Sequence, residues 1–245
     1  MENSRERAAG ITPSRRRGYA EREITRRLIH AIFEQRLPPG ARITEEQLAE
    51  TFGVSRTVVR QSMNRLSEMG VFRKTPNQGC TIAAPTRHEA RKMLAVRDMI
   101  EPPMARLVAE SWKADELDLL RDHLGREEAA RRAGDRSTLV RLTGEFHLKL
   151  AEMTGNPFLV RIITELQVLT CLAILVHAES ETGCPRDEHG VIVDAIERRD
   201  GAAAAAEMAR HLDHIVEELQ LDRRDPERNL EKAFRWLGAG GEPAG

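Results

Sequence analysis

Aromatic residues are scarce in this chain: Phe, Trp and Tyr together make up 4% of its 245 residues. That argues against a stacking platform for single-stranded nucleic acid, which needs aromatic faces for successive bases. Cysteine is equally sparse. Cys80, Cys171 and Cys184 lie far apart and form no CxxC pair, which fits a reducing cytoplasm better than a disulfide framework. Long apolar runs are missing as well: the longest, Leu166 to Val176, is interrupted by Gln167 and Thr170 and is short for a bilayer span. The amino terminus is Arg-rich with no apolar stretch behind it, so no signal peptide and no membrane partner are expected. Neither HExxH nor GxSxG occurs, which removes two common hydrolase frameworks.

What is present is ordinary in amount and uneven in distribution. Apolar residues make up 40% and charged residues 31%, a balance that suits a globular chain long enough for two modest domains. The net charge of −1 hides an asymmetry: residues 1–85 hold 15 Lys+Arg against 9 Asp+Glu, and the remainder holds 23 against 30. A basic amino-terminal third on an acidic body suggests a polyanion-binding module joined to something else.

The pattern divides the chain in the same place. Residues 1–18 are polar and Arg-rich and read as a flexible arm. Ile24, Leu28, Ile29 and Ile32 fall at helical spacing in Glu21–Gln35. LPPGARI then forces a turn and a short extended piece. Thr44 opens a second helix, with Gln47 as its capping-box partner; Gly53-Val54 breaks it, and Ser55 caps a third running to about Met69. Val71 to Ala84 reads as two strands around a turn at Pro76–Gly79. Beyond Pro85 nearly everything to Leu221 has a helical pattern, with breaks near Ser111, Gly134, Thr154–Pro157, Gly183–Pro185 and Asp200-Gly201. About six helices result, and Pro102-Pro103 should kink the first. A short helix is expected around Asn229–Leu237. The fold class is therefore mainly α: a winged helix-turn-helix domain (19–84), an all-α helical bundle (85–223) and a tail (224–245).

The third helix of the first module has two faces. Val59, Met63 and Leu66 should pack inward. Arg56 and Arg60 share the opposite face with Thr57, Gln61 and Asn64, as a helix reading guanine edges and phosphates requires. The helix start at Ser55 also favours a phosphate. An amphipathic helix with solvated arginines would look the same in isolation. The preceding short helix, the Gly53 turn and the hairpin favour recognition.

LPPGARITEEQLAETFGVSRTVVRQSMNRLSEMG and KTPNQGCTIAAP resemble the DNA-binding domain of the GntR family of bacterial transcription regulators. RDMIEPPMARLVAE, EFHLKLAEMTGNPFL, EHGVIVDAIERRDG and EMARHL resemble the all-helical FCD effector domain of its FadR-type branch. The resemblance implies a cytoplasmic, nucleoid-associated homodimer on a short palindromic operator in double-stranded DNA. It implies DNA contacts at Thr44, Ser55, Arg56, Thr57 and Arg60, and at Gln78-Gly79 on the wing tip, where glycine would allow close backbone approach to the minor groove. Glu46 departs, standing where some members carry a base-contacting arginine.

By the same resemblance His147, His189 and His211 align with three metal-ligating histidines, which suggests a divalent transition metal such as zinc or nickel. Members with that metal usually carry aspartate one turn before the first histidine, and here Thr143 stands there. Three readings follow: a weaker three-histidine site, a site completed by an effector carboxylate, or histidines that hydrogen-bond the effector with no metal. Arg97 aligns with an arginine near the effector, suited to a carboxylate; an ordinary i,i+4 pair with Glu101 is the plainer reading. Thr143, Arg97 and the three histidines are thus the expected effector site, for a small organic acid. His177 and His214 match no family position and read as surface or structural. The expected function is a ligand-controlled transcription regulator, a repressor by the commoner family outcome, and not an enzyme. The alternative is a metal-dependent hydrolase using the three histidines.

Overall fold

A computed structural model of the chain describes residues 13–75, 79–178 and 188–221. Helix α1 (Pro13–Phe33) is followed by β1 (Arg42–Ile43), α2 (Glu45–Phe52), α3 (Arg56–Glu68), β2 (Phe72–Thr75) and β3 (Gly79–Ile82). The strands pair antiparallel in the order β1-β3-β2, with Ile43 opposite Cys80 and Phe72 opposite Ile82. Three helices and a small sheet in this sequence are a winged helix-turn-helix. Helix α1 starts at Pro13 rather than Glu21, so residues 13–18, expected in a flexible arm, are helical.

Local chemistry explains the boundaries. Thr44 and Gln47 form the expected capping box: Thr44 Oγ1 accepts from the Gln47 amide at 3.2 Å, and the Gln47 side chain accepts from the Thr44 amide at 2.9 Å. Gly53 ends α2 in the left-handed region at φ +63°. Ser55 does stand at the start of α3, but its side chain makes no capping hydrogen bond, so its hydroxyl is left for another partner. The wing turn at 76–78, including Gln78, lies outside the described residues. So do Cys184, the 183–185 break and the helix expected at 229–237.

The body contains α4 (Arg87–Ser111), α5 (Ala114–Ala133), α6 (Arg136–Met153), α7 (Pro157–His177), α8 (Glu188–Glu197) and α9 (Gly201–Glu218). Thr86 with Glu89, Asp135, Asn156 and Asp200 cap four of them. Helix α4 runs on through Pro102-Pro103. The carbonyls deprived of partners there belong to Asp98 and Met99, both exposed, so water can satisfy them. Helix α4 packs against α9, α7, α8 and α6 and is the spine of the bundle.

Helix α7 corrects the reading of Leu166–Val176 as too short for a membrane. Its 21 residues are long and apolar enough to cross one by length and composition. Here it is a core helix: Ile163, Val168, Cys171 and Leu172 are buried, and α1, α4 and α6 pack on it. The two domains share that core. Ile32 and Phe33 of α1 join Val140 of α6 and Cys171 and Leu172 of α7 in one apolar cluster, and Ser137 Oγ donates to the Glu34 carbonyl at 2.8 Å.

Candidate functional site

The outward face of the winged domain is built by α3. Val59, Met63 and Leu66 are at most 3% exposed, as their spacing predicts, and Val58 and Ser62 are buried with them. Ser55, Arg56, Thr57 and Arg60 are exposed together on the other side. Neither arginine is free. Arg56 Nη2 lies 2.6 Å from Glu46 Oε1, and Arg60 donates through Nε and Nη2 to the two Glu45 oxygens, both at 2.8 Å. Thr44 is committed to its capping box. Gly79 has a structural duty the sequence did not reveal: it pairs with Thr75, sits at φ +87°, and a Cβ there would lie 2.6 Å from the Ile43 carbonyl oxygen. Any side chain would push β1 away from β3.

The second site lies inside the bundle. His147 on α6, His189 on α8 and His211 on α9 are 2–3% exposed, and one ring nitrogen from each falls within 4.8 Å of the others. His211 Nε2 is 3.3 Å from His147 Nε2 and 3.4 Å from His189 Nε2. Two nitrogens bound to one zinc at roughly 2.0–2.1 Å with a tetrahedral angle stand roughly 3.4 Å apart, so this spacing suits a shared ion.

Each ring also has a carboxylate on its other side, which the sequence did not single out. His189 Nδ1 is 2.9 Å from Glu127 Oε2 and His211 Nδ1 is 2.8 Å from Glu188 Oε2. His147 Nδ1 is 2.6 Å from Glu101 Oε2, close but not aligned as a hydrogen bond. A carboxylate on Nδ1 fixes the tautomer that leaves Nε2 as a ligand. Burial holds the His147 ring well down, at about 3, and the His211 ring at about 4, so both are neutral and able to coordinate near pH 7. Donor type and spacing therefore fit a divalent cation held by three imidazoles, which would offer a Lewis-acidic anchor for an oxygen ligand.

Thr143 does not replace the missing carboxylate. Its hydroxyl donates to the Val140 carbonyl at 3.0 Å, within its own helix. Glu145 points away as expected, pairing with Arg141 at 2.8 Å. Arg97 realises the plainer reading: Nε is 2.5 Å and Nη2 3.2 Å from the Glu101 carboxylate, so its fork is already engaged. Nη2 is also 3.3 Å from His147 Nε2 and Nη1 3.2 Å from Thr170 Oγ1. The guanidinium and a metal ion thus compete for one ring nitrogen. His214, expected at the surface or in a structural role, is 2.5 Å from Glu188 Oε1 and steadies the carboxylate behind His211, while His177 lies 2.7 Å from the Pro85 carbonyl oxygen.

A narrow cavity, with about 30 Å³ of room for a water-sized sphere and partly open to solvent, adjoins His147, His211, Arg97 and Thr143, so an organic ligand entering it must part the helices around it. Its walls include Val140, Gly144, Gln167 and Cys171. Gln167 is 3% exposed and its Nε2 has no partner among the described residues. Burial pushes the Cys171 thiol up to about 12, so it is an unreactive wall.

Two family profiles match the sequence: "Bacterial regulatory proteins, gntR family" over residues 20–82 and "FCD domain" over residues 92–214. The chain belongs to the GntR family. It is a DNA-binding transcription regulator with an FCD domain. It is 27% identical over 192 residues to the HTH-type transcriptional regulator YdhC of Bacillus subtilis, covering 77% of this chain and 86% of that one. It is 23% identical over 207 residues to the HTH-type transcriptional repressor RspR of Escherichia coli, covering 83% and 89%. Among solved structures the fold is similar to E. coli McbR/YncC, with a TM-score of 0.75 at 21% identity over 83% of this chain and 98% of that one. A GntR regulator from Rhodococcus sp. RHA1 gives 0.72 at 18% identity over 84% and 100%.

Proposed function

We propose that this GntR regulator binds a palindromic operator as a homodimer and releases it when a small organic acid enters the cavity beside His147 and His211, that is, as a repressor. The observation that carries the reading is that the cavity and the domain junction share walls. Val140, Gly144 and Cys171 line the cavity, and Val140 and Cys171 also belong to the cluster that seats Ile32 and Phe33 of α1. A ligand that shifts α6 or α7 therefore acts on the helix that supports the DNA-reading module, by as much as it discriminates between the two arrangements. The three histidines would hold a zinc or nickel ion, the acid's carboxylate would complete its coordination, and the unpartnered Gln167 amide would donate to the same ligand. Repression agrees in sign with the printed name of RspR.

Selection from a pool of random duplexes tests the DNA half. Wild-type protein should enrich one palindrome. Arg60→Ala should lower affinity for it by about 5- to 150-fold, the worth of a guanidinium on a base edge. Failure to enrich any sequence would refute operator recognition.

The dimer has a specific surface in this proposal. Val96, Met99, Pro103 and Leu107 fall on one stripe of α4 at spacings of three and four. Val96, Met99 and Leu107 are 41%, 74% and 45% exposed, an unusual outward row for a bundle helix. The double variant Met99→Lys, Leu107→Lys should sediment as a folded monomer. A persistent dimer would place the interface elsewhere.

A further inference from the structure

We propose that Glu46 is a specificity residue of the DNA-binding face, accepting a hydrogen bond from the amino group of a cytosine and penalising duplexes that lack one. The inference rests on the DNA-binding reading and on the two ion pairs that cross from α2 to α3. They differ in kind. Glu45 is 31% exposed and holds Arg60 through both oxygens at 2.8 Å. That grip takes Nε and one edge of Nη2, leaves Nη1 without a hydrogen bond to Glu45, and so fixes the plane of the guanidinium. Glu46 is 75% exposed and touches only Nη2 of Arg56, through Oε1 at 2.6 Å. Its second oxygen has no partner among the described residues.

An exposed pair of that kind adds little to folding. Its position gives it consequence. Arg56 is the first residue of α3, and residues at the start of a recognition helix reach base edges in the major groove. A carboxylate within hydrogen-bonding distance of that guanidinium enters the groove with it. There it meets phosphate charge on both sides, which repels it on any duplex. Only an amino donor on a base edge offsets that repulsion, and the donor a carboxylate pairs with is cytosine N4. The same residue therefore rewards one base pair and weakens binding to all the rest.

Full-length wild type, Glu46→Ala and Glu46→Gln should be put through the same random-duplex selection. Each should also be titrated against one fixed unrelated duplex over a range of salt. Wild type is expected to enrich a palindrome with one C:G pair in each half-site that becomes indifferent in Glu46→Ala, a loss of roughly tenfold preference or more, with the other positions unchanged. In Glu46→Gln the same position should drift toward adenine, the base that a side-chain amide pairs with. Both variants should bind the unrelated duplex several-fold more tightly than wild type. Identical motifs and unchanged nonspecific affinity in both variants would overturn the proposal while leaving operator recognition intact. If wild type enriches nothing, operator recognition and the role of Glu46 fall together. Side chain 46 is exposed, so both variants should show wild-type circular dichroism, and a loss of folding in both would assign Glu46 to structure instead.

Discussion

Protein purified without chelator and incubated with zinc is expected to hold about one ion per chain, and His211→Ala to hold none. His211 would be the decisive ligand, because its Nε2 is the one within 3.4 Å of both other rings. Stripping the ion with a chelator should lower the melting temperature by about 5–10 °C. This follows if free ion stands near a hundred times its dissociation constant, worth about 2.7 kcal/mol, at 2–4 °C per kcal/mol for a chain of about this size. Glu101→Gln separates the ligand nitrogen from its support. It leaves His147 in place, removes the carboxylate 2.6 Å behind it, and should weaken the ion about 10- to 100-fold. Elemental analysis showing no metal in wild type after zinc treatment would remove the ion from the proposal. The guanidinium of Arg97, 3.3 Å from His147 Nε2, would then be that nitrogen's resident partner.

Acid gives an independent reading of the same site. Burial lowers the His147 and His211 rings to about 3 and about 4, against about 6.5 in an unfolded chain. Unfolded protein therefore binds protons that folded protein refuses, so the stability these rings contribute is complete above pH 6.5 and is lost as pH falls toward 4 and then 3. The metal-free protein should melt progressively lower across that window. Within the folded state these two rings remain unprotonated until about pH 4, so neither gives up its free nitrogen to a proton at pH 5.

The parts legible in the sequence are those written by neighbours along the chain. Thr44 and Gln47 are three apart and form the box their types suggest. The inward row of α3 follows from its own spacing, and the breaks at Gly134 and Asp200-Gly201 are where α5 ends and α9 begins. Resemblance, not spacing, brought the three histidines together, and the structure converges them. What stayed hidden depends on helices meeting across the bundle. Glu127 sits in a run, REEAARR, that reads as a solvated face, yet it supports His189 from 62 residues away. Glu101 was legible as the partner of Arg97 but not as that of His147, which required α4 and α6 to pack. The role of Gly79 is invisible without knowing that β1 passes above it. The Gln167 amide became notable only once its neighbours were known to leave it unpaired.

Phe33→Ala is expected to cost about 3–5 kcal/mol in urea unfolding, as for other buried phenylalanines, because the ring is 4% exposed and lies where the domains meet. Stability alone would not distinguish a packing residue from one that transmits the ligand's effect. Gly144→Ala makes that distinction. Gly144 lines the cavity, and a Cβ there would stand 3.1 Å from Cε1 and 3.6 Å from Cδ1 of Phe33. Replacing glycine inside a helix gains about 0.5–1 kcal/mol, and the crowded ring returns about 1–3, so the variant should remain folded with a small net loss. Its effect belongs in regulation. The methyl group pushes Phe33 from the cavity side, as a shift of α6 on ligand binding would. Operator affinity without effector should therefore fall toward the ligand-bound value, and the ligand's remaining effect should shrink from a coupling of about 1–3 kcal/mol. Equal coupling in Gly144→Ala and wild type, measured on the selected operator, would show that Phe33 holds the domains together without carrying the message between them. The ligand's effect would then have to travel through α4, whose Glu89 binds Arg73 of β2 at 2.8 Å.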